Sequence, residues 1–387
     1  MSSPPFRILC LSHLMWEETL FQRPQQLMKR FQMMGHPTAY LSMIGTRRWL
    51  RLRFSASPAA PLRGVTAEGL RFVTLPFVPF TRRLRLARLL SDALWQAAVN
   101  RARRRLPPGP DVLWLYHPDL ADFARRVPHD LLVYDVMDQF DAFDMSLKGV
   151  ASREEELLRL ADVVFTGGRT MHERKAAIRP DARCFPSGVD AEHFGSALKP
   201  ETPVAAEIAH LPRPVLGFIG AVDERIDYPL VEAVCRARPA WSYVFIGPLV
   251  AMARAPVDAP NFHCLGARPY ARLPEYLKGF DVATMPWVQS ELTAHISPTK
   301  TPEYLAAGRP VVTTPTPDIE RDYGGVVSLA RGAEAFIAAC EACIRNPPAN
   351  LAQTLAGRAA AASWETIAQR MRAAILEKLA ARAPGAV

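Results

Sequence analysis

The chain has 387 residues, 49% of them hydrophobic and 22% charged, with a formal net charge of +9. That length allows two domains with full cores, and the balance is that of a soluble globular protein, not a disordered or fibrous one. The charge is uneven: residues 1–110 carry 18 Lys and Arg against 4 Asp and Glu, and the remainder 29 against 34.

Such an asymmetry points to a polyanionic partner for the first half. No zinc-finger spacing, RNP-like aromatic motif or helix-turn-helix pattern accompanies it, so the expected partner is an anionic membrane surface or a phosphate-bearing acceptor, with no nucleic acid. No apolar stretch reaches transmembrane length. The opening residues Met1 to Arg7 lack the basic start and long apolar core of a signal peptide, so a cytoplasmic location is expected. Four of the six cysteines (Cys10, Cys184, Cys235, Cys264) lie in apolar runs and read as buried thiols. Cys340 and Cys343 form a C-x-x-C inside Ala-rich helical sequence without a second pair, which argues against a zinc or redox site.

In chain order, Arg7–Ser12 (RILCLS) is an apolar run bounded by turn signals. A helical period follows from Arg23 to Met34 and stops at Gly35. Thr38–Ile44, Arg71–Phe77, Val112–Tyr116, Leu131–Val136 and Val163–Thr166 read as further strands, separated by helical stretches near 86–105, 119–127 and 152–161. Near-continuous apolar strands alternating with helices predict a parallel sheet covered on both faces. Residues 192–214 are rich in Pro and Ala without clear period and read as a linker. A second series then starts: Val215–Gly220, Tyr243–Gly247, Phe262–Gly266, Val282–Pro286, Val311–Thr314 and Val326–Leu329, with a last helical region over 357–382. The fold class is therefore α/β with two doubly wound, Rossmann-like domains. The expected divisions are 1–195, a linker 196–213, a second domain 214–360 and a C-terminal helix 361–387. Ligands are expected beyond the C-terminal ends of the strands. Neither first strand is followed by G-x-G-x-x-G, which counts against a dehydrogenase, and no Walker A sequence occurs.

The segment Ser297-Pro298-Thr299-Lys300-Thr301-Pro302-Glu303-Tyr304-Leu305-Ala306-Ala307-Gly308-Arg309-Pro310-Val311-Val312 holds most of the chemistry. It reads as a loop, a short helix with Pro302 at its first position, a stop at Gly308 and a buried strand. Ser297, Thr299 and Thr301 can cap or flank the helix start. Free N–H groups there, with the Lys300 charge, suit a diphosphate. Glu303, one turn in, can accept hydrogen bonds from two ribose hydroxyls. The bland alternative is an ordinary helix-to-strand unit with a solvated Glu303.

This segment resembles the donor-site signature of GT-B glycosyltransferases, especially the retaining family 4 (glycosyl transferases group 1). The resemblance implies a GT-B architecture and transfer of a sugar from a nucleotide-diphosphate donor, with retention and without metal. It places Gly220, His295, Ser297, Thr299, Lys300, Thr301 and Glu303 at the donor. Gly217 to Arg225 (GFIGAVDER) resembles the element that sets an Arg on the donor diphosphate, a role carried to Arg225. A guanidinium gives planar, bidentate contact there; the alternative is a surface ion pair with Glu224 or Asp227. The turn Ala267-Arg268-Pro269-Tyr270 is similar to one that faces the nucleotide base. One departure stands out: the family's E-x7-E motif has its first Glu where this chain has His295, eight positions before Glu303.

In the first half, Arg23-Pro24-Gln25-Gln26-Leu27 and Tyr134-Asp135-Val136-Met137-Asp138 resemble elements of the teichuronic-acid-type glycosyltransferases, and Ser187-Gly188-Val189-Asp190-Ala191-Glu192-His193-Phe194 resembles the GT-B "NGVD-x-x-x-F" segment near the interdomain boundary. His117, at a strand end, is matched to a His at the transferred sugar or leaving phosphate; a structural role is the alternative. His13 and Asp138 are acceptor-side candidates. Leaving-group stabilisation would fall to His117, Arg225 and Lys300, and closure of the domains would exclude water. The basic, amphipathic stretch 82–105, with Trp49, Phe77, Phe80 and Trp95 nearby, suits an anionic lipid surface, and a lipid-linked acceptor in envelope or exopolysaccharide synthesis would fit it. The rivals are a nucleotide-sugar 2-epimerase of the same fold and a non-catalytic scaffold subunit.

Overall fold

The computed structural model describes residues 6–17, 21–55, 61–78, 84–140, 149–294, 296–297, 299–346 and 362–382. The chain divides into two compact units: the first is Met1–Gly167, Met171–Phe185 and Ile367–Val387, the second Gly168–Thr170 and Pro186–Thr366.

The first unit is built on strands β1 (Arg7–Ser12), β2 (Thr38–Gly45), β3 (Arg63–Val65), β4 (Arg71–Phe77), β5 (Asp111–Leu115), β6 (Leu131–Val136), β7 (Val163–Thr166) and β8 (Arg183–Cys184). They lie in the order β3-β4-β2-β1-β5-β6-β7-β8, with every neighbouring pair parallel except β3 and β4. β5 and β6 are buried at every position, as their unbroken apolar sequences require of strands covered on both faces. The order reverses at β1, which has β2 on one side and β5 on the other. Loops leaving β1 and β5 therefore part, opening a crevice at the strand ends. The C-terminal helix Trp364–Arg382 buries Ile367, Ala368, Met371, Ala374 and Ile375, and Arg372 Nε donates to His36 Nε2 at 2.7 Å within this unit.

The second unit carries β9 (Val215–Ile219), β10 (Ser242–Ile246), β11 (Phe262–Cys264), β12 (Val282–Met285), β13 (Val311–Thr313) and β14 (Ser328–Leu329). All are parallel, in the order β11-β10-β9-β12-β13-β14. Its order reverses between β9 and β12, so the corresponding crevice follows Ile219 and Met285. The stretch 192–214, expected as a linker, instead puts Phe194, Ala197, Ala205 and Ile208 into this unit's core.

Several elements escape the sequence reading, among them β8 (Arg183–Cys184) and the helix Arg169–Ala176. The helix Thr46–Phe54 (TRRWLRLRF) has no buried residue; it is too short and Arg-rich for its period to stand out in the sequence. β3 is a three-residue edge strand with little apolar character. β11 stops at Cys264, short of Gly266, whose φ of +72° leaves the strand region.

A candidate nucleotide-sugar site

In the second unit the helix Lys300–Ala306 starts at the mouth of the crevice. Pro302 stands third in it, not first as expected; the first four N–H groups of a helix lack intrahelical partners, so a proline is tolerated there. Nor is the start capped by a side chain, since Thr299 makes no such bond. Its backbone N–H donates to Ser297 O at 2.8 Å, and Ser297 Oγ lies 3.3 Å from Ser187 Oγ. Thr301 is fully buried, with its hydroxyl 3.8 Å from Met285 Sδ, which makes it an inward-facing residue. Tyr304, also fully buried, fixes the helix to the end of β9: its hydroxyl accepts from Ile219 N at 2.8 Å and donates to Ile219 O at 3.1 Å. Gly308 ends the helix with φ of +67°, the left-handed position that glycine occupies without steric cost.

With the helix so held, the Lys300 side chain crosses Gly220. A Cβ at Gly220 would lie 2.1 Å from Lys300 Cε, so a larger residue would push the lysine side chain aside. A Cβ at Gly247, whose φ is +151°, would fall 1.7 Å from Gly220 O. The loops after β9 and β10 thus meet backbone to backbone. The Lys300 ammonium sits 5.8 Å from the Phe218 ring centre and 5.4 Å from that of Trp287, and such rings attract a cation through their negative faces. Burial lowers the Lys300 pKa, and the nearby Arg225 charge lowers it further, against the pull of Glu303 and Asp223.

Arg225 pairs with Asp223. Its Nε donates to both carboxylate oxygens of Asp223 at 3.0 and 3.1 Å, its Nη2 to Asp223 Oδ2 at 2.5 Å, and its backbone N–H to Asp223 Oδ1 at 3.0 Å. Asp227 instead caps the helix Tyr228–Ala237 by accepting from Leu230 N at 2.9 Å. Asp223 was not singled out by sequence; its place two residues before an arginine is the only signal it offered.

One turn past Lys300, burial raises the Glu303 pKa; Lys300 opposes that rise and Asp190 adds to it. Asp190 also caps the helix Ala191–Gly195, accepting from His193 N at 3.1 Å. On that helix the His193 ring stacks on Tyr270, 4.3 Å between centres at 13°. The turn that resembles a base-facing one therefore ends in a stacked pair not expected from sequence. His295 lies outside the described residues.

In the first unit, the crevice between β1 and β5 gathers His13, His117 and Phe140. Ring centres are 5.5 Å apart for His13 and His117, 5.7 Å for His13 and Phe140, and 4.7 Å for His117 and Phe140. His117 Nδ1 accepts from Asp119 N at 3.2 Å, so the neutral ring carries its proton on Nε2. Asp138, half-buried, stands two residues beyond β6. The motif residues Arg23 and Asp135 meet in a buried ion pair: Arg23 Nε contacts both oxygens at 3.0 Å, Nη2 reaches Oδ1 at 2.8 Å, and Nη1 donates to Phe185 O at 2.7 Å. Gln25 holds the loop after β1 by donating to Met15 O at 2.9 Å. These elements serve the frame around His13.

Among the described residues, no group of three His, Cys, Asp or Glu is arranged to hold a metal ion, and no helix is long and apolar enough to cross a membrane.

Known structures with this arrangement share its fold. Sucrose-phosphate synthase from Thermosynechococcus elongatus superposes with a TM-score of 0.71 at 15% identity, over 97% of this chain and 100% of that one. The Anabaena protein HepE in complex with UDP and glucose does so with a TM-score of 0.63 at 13% identity, over 96% and 99%. The two doubly wound units are thus the GT-B fold. Residues 213–346 match the family model described as glycosyl transferases group 1. Among curated proteins, the teichuronic acid biosynthesis glycosyltransferase TuaH of Bacillus subtilis (strain 168) is 26% identical over 274 residues. That match spans 65% of this chain and 66% of the relative.

Proposed function

We propose that this protein transfers a hexose-type residue from a nucleoside-diphosphate sugar to a glycan or lipid-linked acceptor, with retention, in the assembly of an envelope or extracellular polysaccharide. The observation that carries the reading is the placing of Lys300 over Gly220, within the electrostatic reach of Arg225 and next to Glu303. Two cations and a carboxylate one helical turn apart match a diphosphate joined to a ribose. The UDP and glucose named for HepE and the pathway named for TuaH support a nucleotide sugar and a polysaccharide product.

Breaking the anomeric C–O bond leaves positive charge on the sugar ring and negative charge on the departing diphosphate. Lys300 and Arg225 stabilise that negative charge where it develops, in place of a metal ion. Glu303 accepts the ribose hydroxyls. Ser297 and Thr299 line the approach, and Thr301 contributes its backbone N–H, because its side chain points inward. His117 is assigned to the transferred sugar, His13 and Asp138 to the acceptor, and His295 to the sugar hydroxyls. The nucleotide sugar is a co-substrate, and no further cofactor is invoked. The cytoplasm supplies such donors.

The test is a panel of UDP-, GDP-, dTDP- and ADP-sugars, each with and without bacterial lipid extract, with release of the nucleoside diphosphate followed. Release requiring one donor and the extract, and lost in Glu303→Ala and Arg225→Ala, is the expected result. An epimerised donor without transfer, or nucleotide binding without turnover under every acceptor condition, would overturn it.

A further inference from the structure

Exposed apolar side chains and arginines collect at one part of the first unit. The helix Thr46–Phe54 buries none of its residues. Its hold on the unit includes Trp49, whose indole N–H donates to Thr74 O at 3.0 Å. Phe54 is 76% exposed, beside exposed Arg47, Arg51 and Arg53. The start of the helix Arg85–Arg105 behaves likewise: Leu86 is 69% exposed, and Leu89 and Leu90 are exposed with Arg85 and Arg88 around them. That helix buries residues only from Ser91 onward, at Ser91, Trp95 and Val99. Apolar residues left in water along a helix, rimmed by cations, mark a face with a partner to come.

Topology puts both segments on one rim. β2 ends at Gly45, directly before the first helix, and Gly45 pairs with Phe77 at the end of β4. The second helix follows β4 and runs back to the start of β5, where Arg103 Nε donates to Asp111 Oδ2 at 2.5 Å. Its 21 residues span about 30 Å at 1.5 Å each. The stretch 82–105 is therefore not one surface. Its first turns share the rim with Thr46–Phe54, while Arg101, Arg104 and Arg105 lie at the opposite end of the sheet; Arg82 and Arg83 fall outside the described residues. The same rim carries His13 after β1 and His117 after β5. Trp16, in the loop beyond His13, packs on Tyr40 of β2 at 5.2 Å and Phe72 of β4 at 6.2 Å.

We propose that this rim, formed by the helix Thr46–Phe54 and the first turns of Arg85–Arg105, docks on an anionic lipid bilayer. The arginines meet the headgroups, and Phe54, Leu86 and Leu90 enter the acyl boundary. Cationic charge and inserted apolar area are the two signals that stable peripheral binding needs. The excess of 18 basic over 4 acidic residues in 1–110 supplies the complementary charge. A nucleic acid would use the arginines but not the leucines, since single strands bind on flat aromatic platforms. The proposal deepens the lipid-linked acceptor reading and rests on it only for the acceptor; binding to lipid is separable from turnover.

The experiment is vesicle flotation of the full-length protein without donor, using phosphatidylcholine alone or with one-third phosphatidylglycerol, at low and high salt. Binding should favour the anionic vesicles by about tenfold or more and weaken at high salt. Both Arg47→Glu/Arg51→Glu/Arg53→Glu and Phe54→Ser/Leu86→Ser/Leu90→Ser should lose about tenfold. Arg101→Glu/Arg104→Glu/Arg105→Glu, at the far end, should bind as the parent does. Thermal midpoints establish that each variant is folded, and UDP calorimetry without vesicles should be unaltered in all three. A folded parent that leaves anionic vesicles unbound, an equal loss in the far-end variant, or binding only to an RNA oligonucleotide would overturn the docking surface. Loss of nucleoside-diphosphate binding in the parent would count against the donor site instead.

Discussion

The two units treat buried charge in opposite ways. In the first, Arg23 and Asp135 close on each other, with side-chain exposures of 2% and 0%. Burial works against the Arg23 charge, but Asp135 overrides it and holds Arg23 more firmly protonated than usual. In the second, burial pushes Lys300 down and Glu303 up, each away from its ordinary charge state. Both sets came from sequence motifs. One is a closed pair that the fold satisfies; the other is the set that the proposed function assigns to a ligand. Perturbed groups in a crevice are functional candidates on that physical ground, and satisfied ones are architecture.

Substitutions sharpen this contrast. The largest expected effect is on unfolding. Arg23→Ala leaves Asp135 charged and unpaired in the core, and should cost about 3–5 kcal/mol in urea denaturation. The double change Arg23→Met/Asp135→Leu should recover most of that loss. Lys300→Ala should reduce nucleoside-diphosphate release by about 10²–10³-fold, as losing one preorganised leaving-group donor does elsewhere, with stability unchanged or raised. Tyr304→Phe strands the Ile219 N–H and should cost about 1–3 kcal/mol, read from the same denaturation curves, with a smaller loss of turnover than Lys300→Ala.

The smallest effect is on pH. Glu303, with its pKa raised, holds its proton to higher pH than an ordinary carboxyl, and it must lose that proton to accept ribose hydroxyls. Lys300, with its pKa lowered, sheds its charge earlier than an ordinary lysine as pH rises. Affinity for a nucleoside diphosphate should therefore climb as Glu303 ionises and fall again as Lys300 deprotonates. Glu303→Gln should flatten the acidic limb alone in calorimetric titrations, and an unchanged limb would remove Glu303 from the site.

Much of the fold was legible because parallel strands buried on both faces announce themselves as apolar runs, as β5, β6, β9 and β10 do. The helix Thr46–Phe54 was not, because it is short and buries none of its residues. The residues 192–214 were misjudged because their short turns bury single side chains, such as Phe194 and Ile208, without a period. At the site, Lys300 and Gly220 were both candidates, and the structure places the Lys300 side chain across Gly220. Thr301 was not distinguishable from a ligand contact by sequence; only its position under the helix, against Met285, shows that it faces inward. Asp223 was missed because a local Asp–Arg pair leaves no mark beyond its spacing. The Arg23–Asp135 pair spans 112 positions, and no single sequence indicates which distant charges meet.

The most direct test measures two quantities on the same two proteins. Lys300→Ala and Arg23→Ala are compared for UDP and GDP binding by calorimetry and for stability by urea unfolding. Lys300→Ala should lose nucleotide affinity and keep its unfolding midpoint, while Arg23→Ala should lose stability and, under conditions where it is folded, bind nucleotide as the parent does. A Lys300→Ala protein that binds nucleotide normally but unfolds early would contradict it, because Lys300 would then belong to the frame and not to the site.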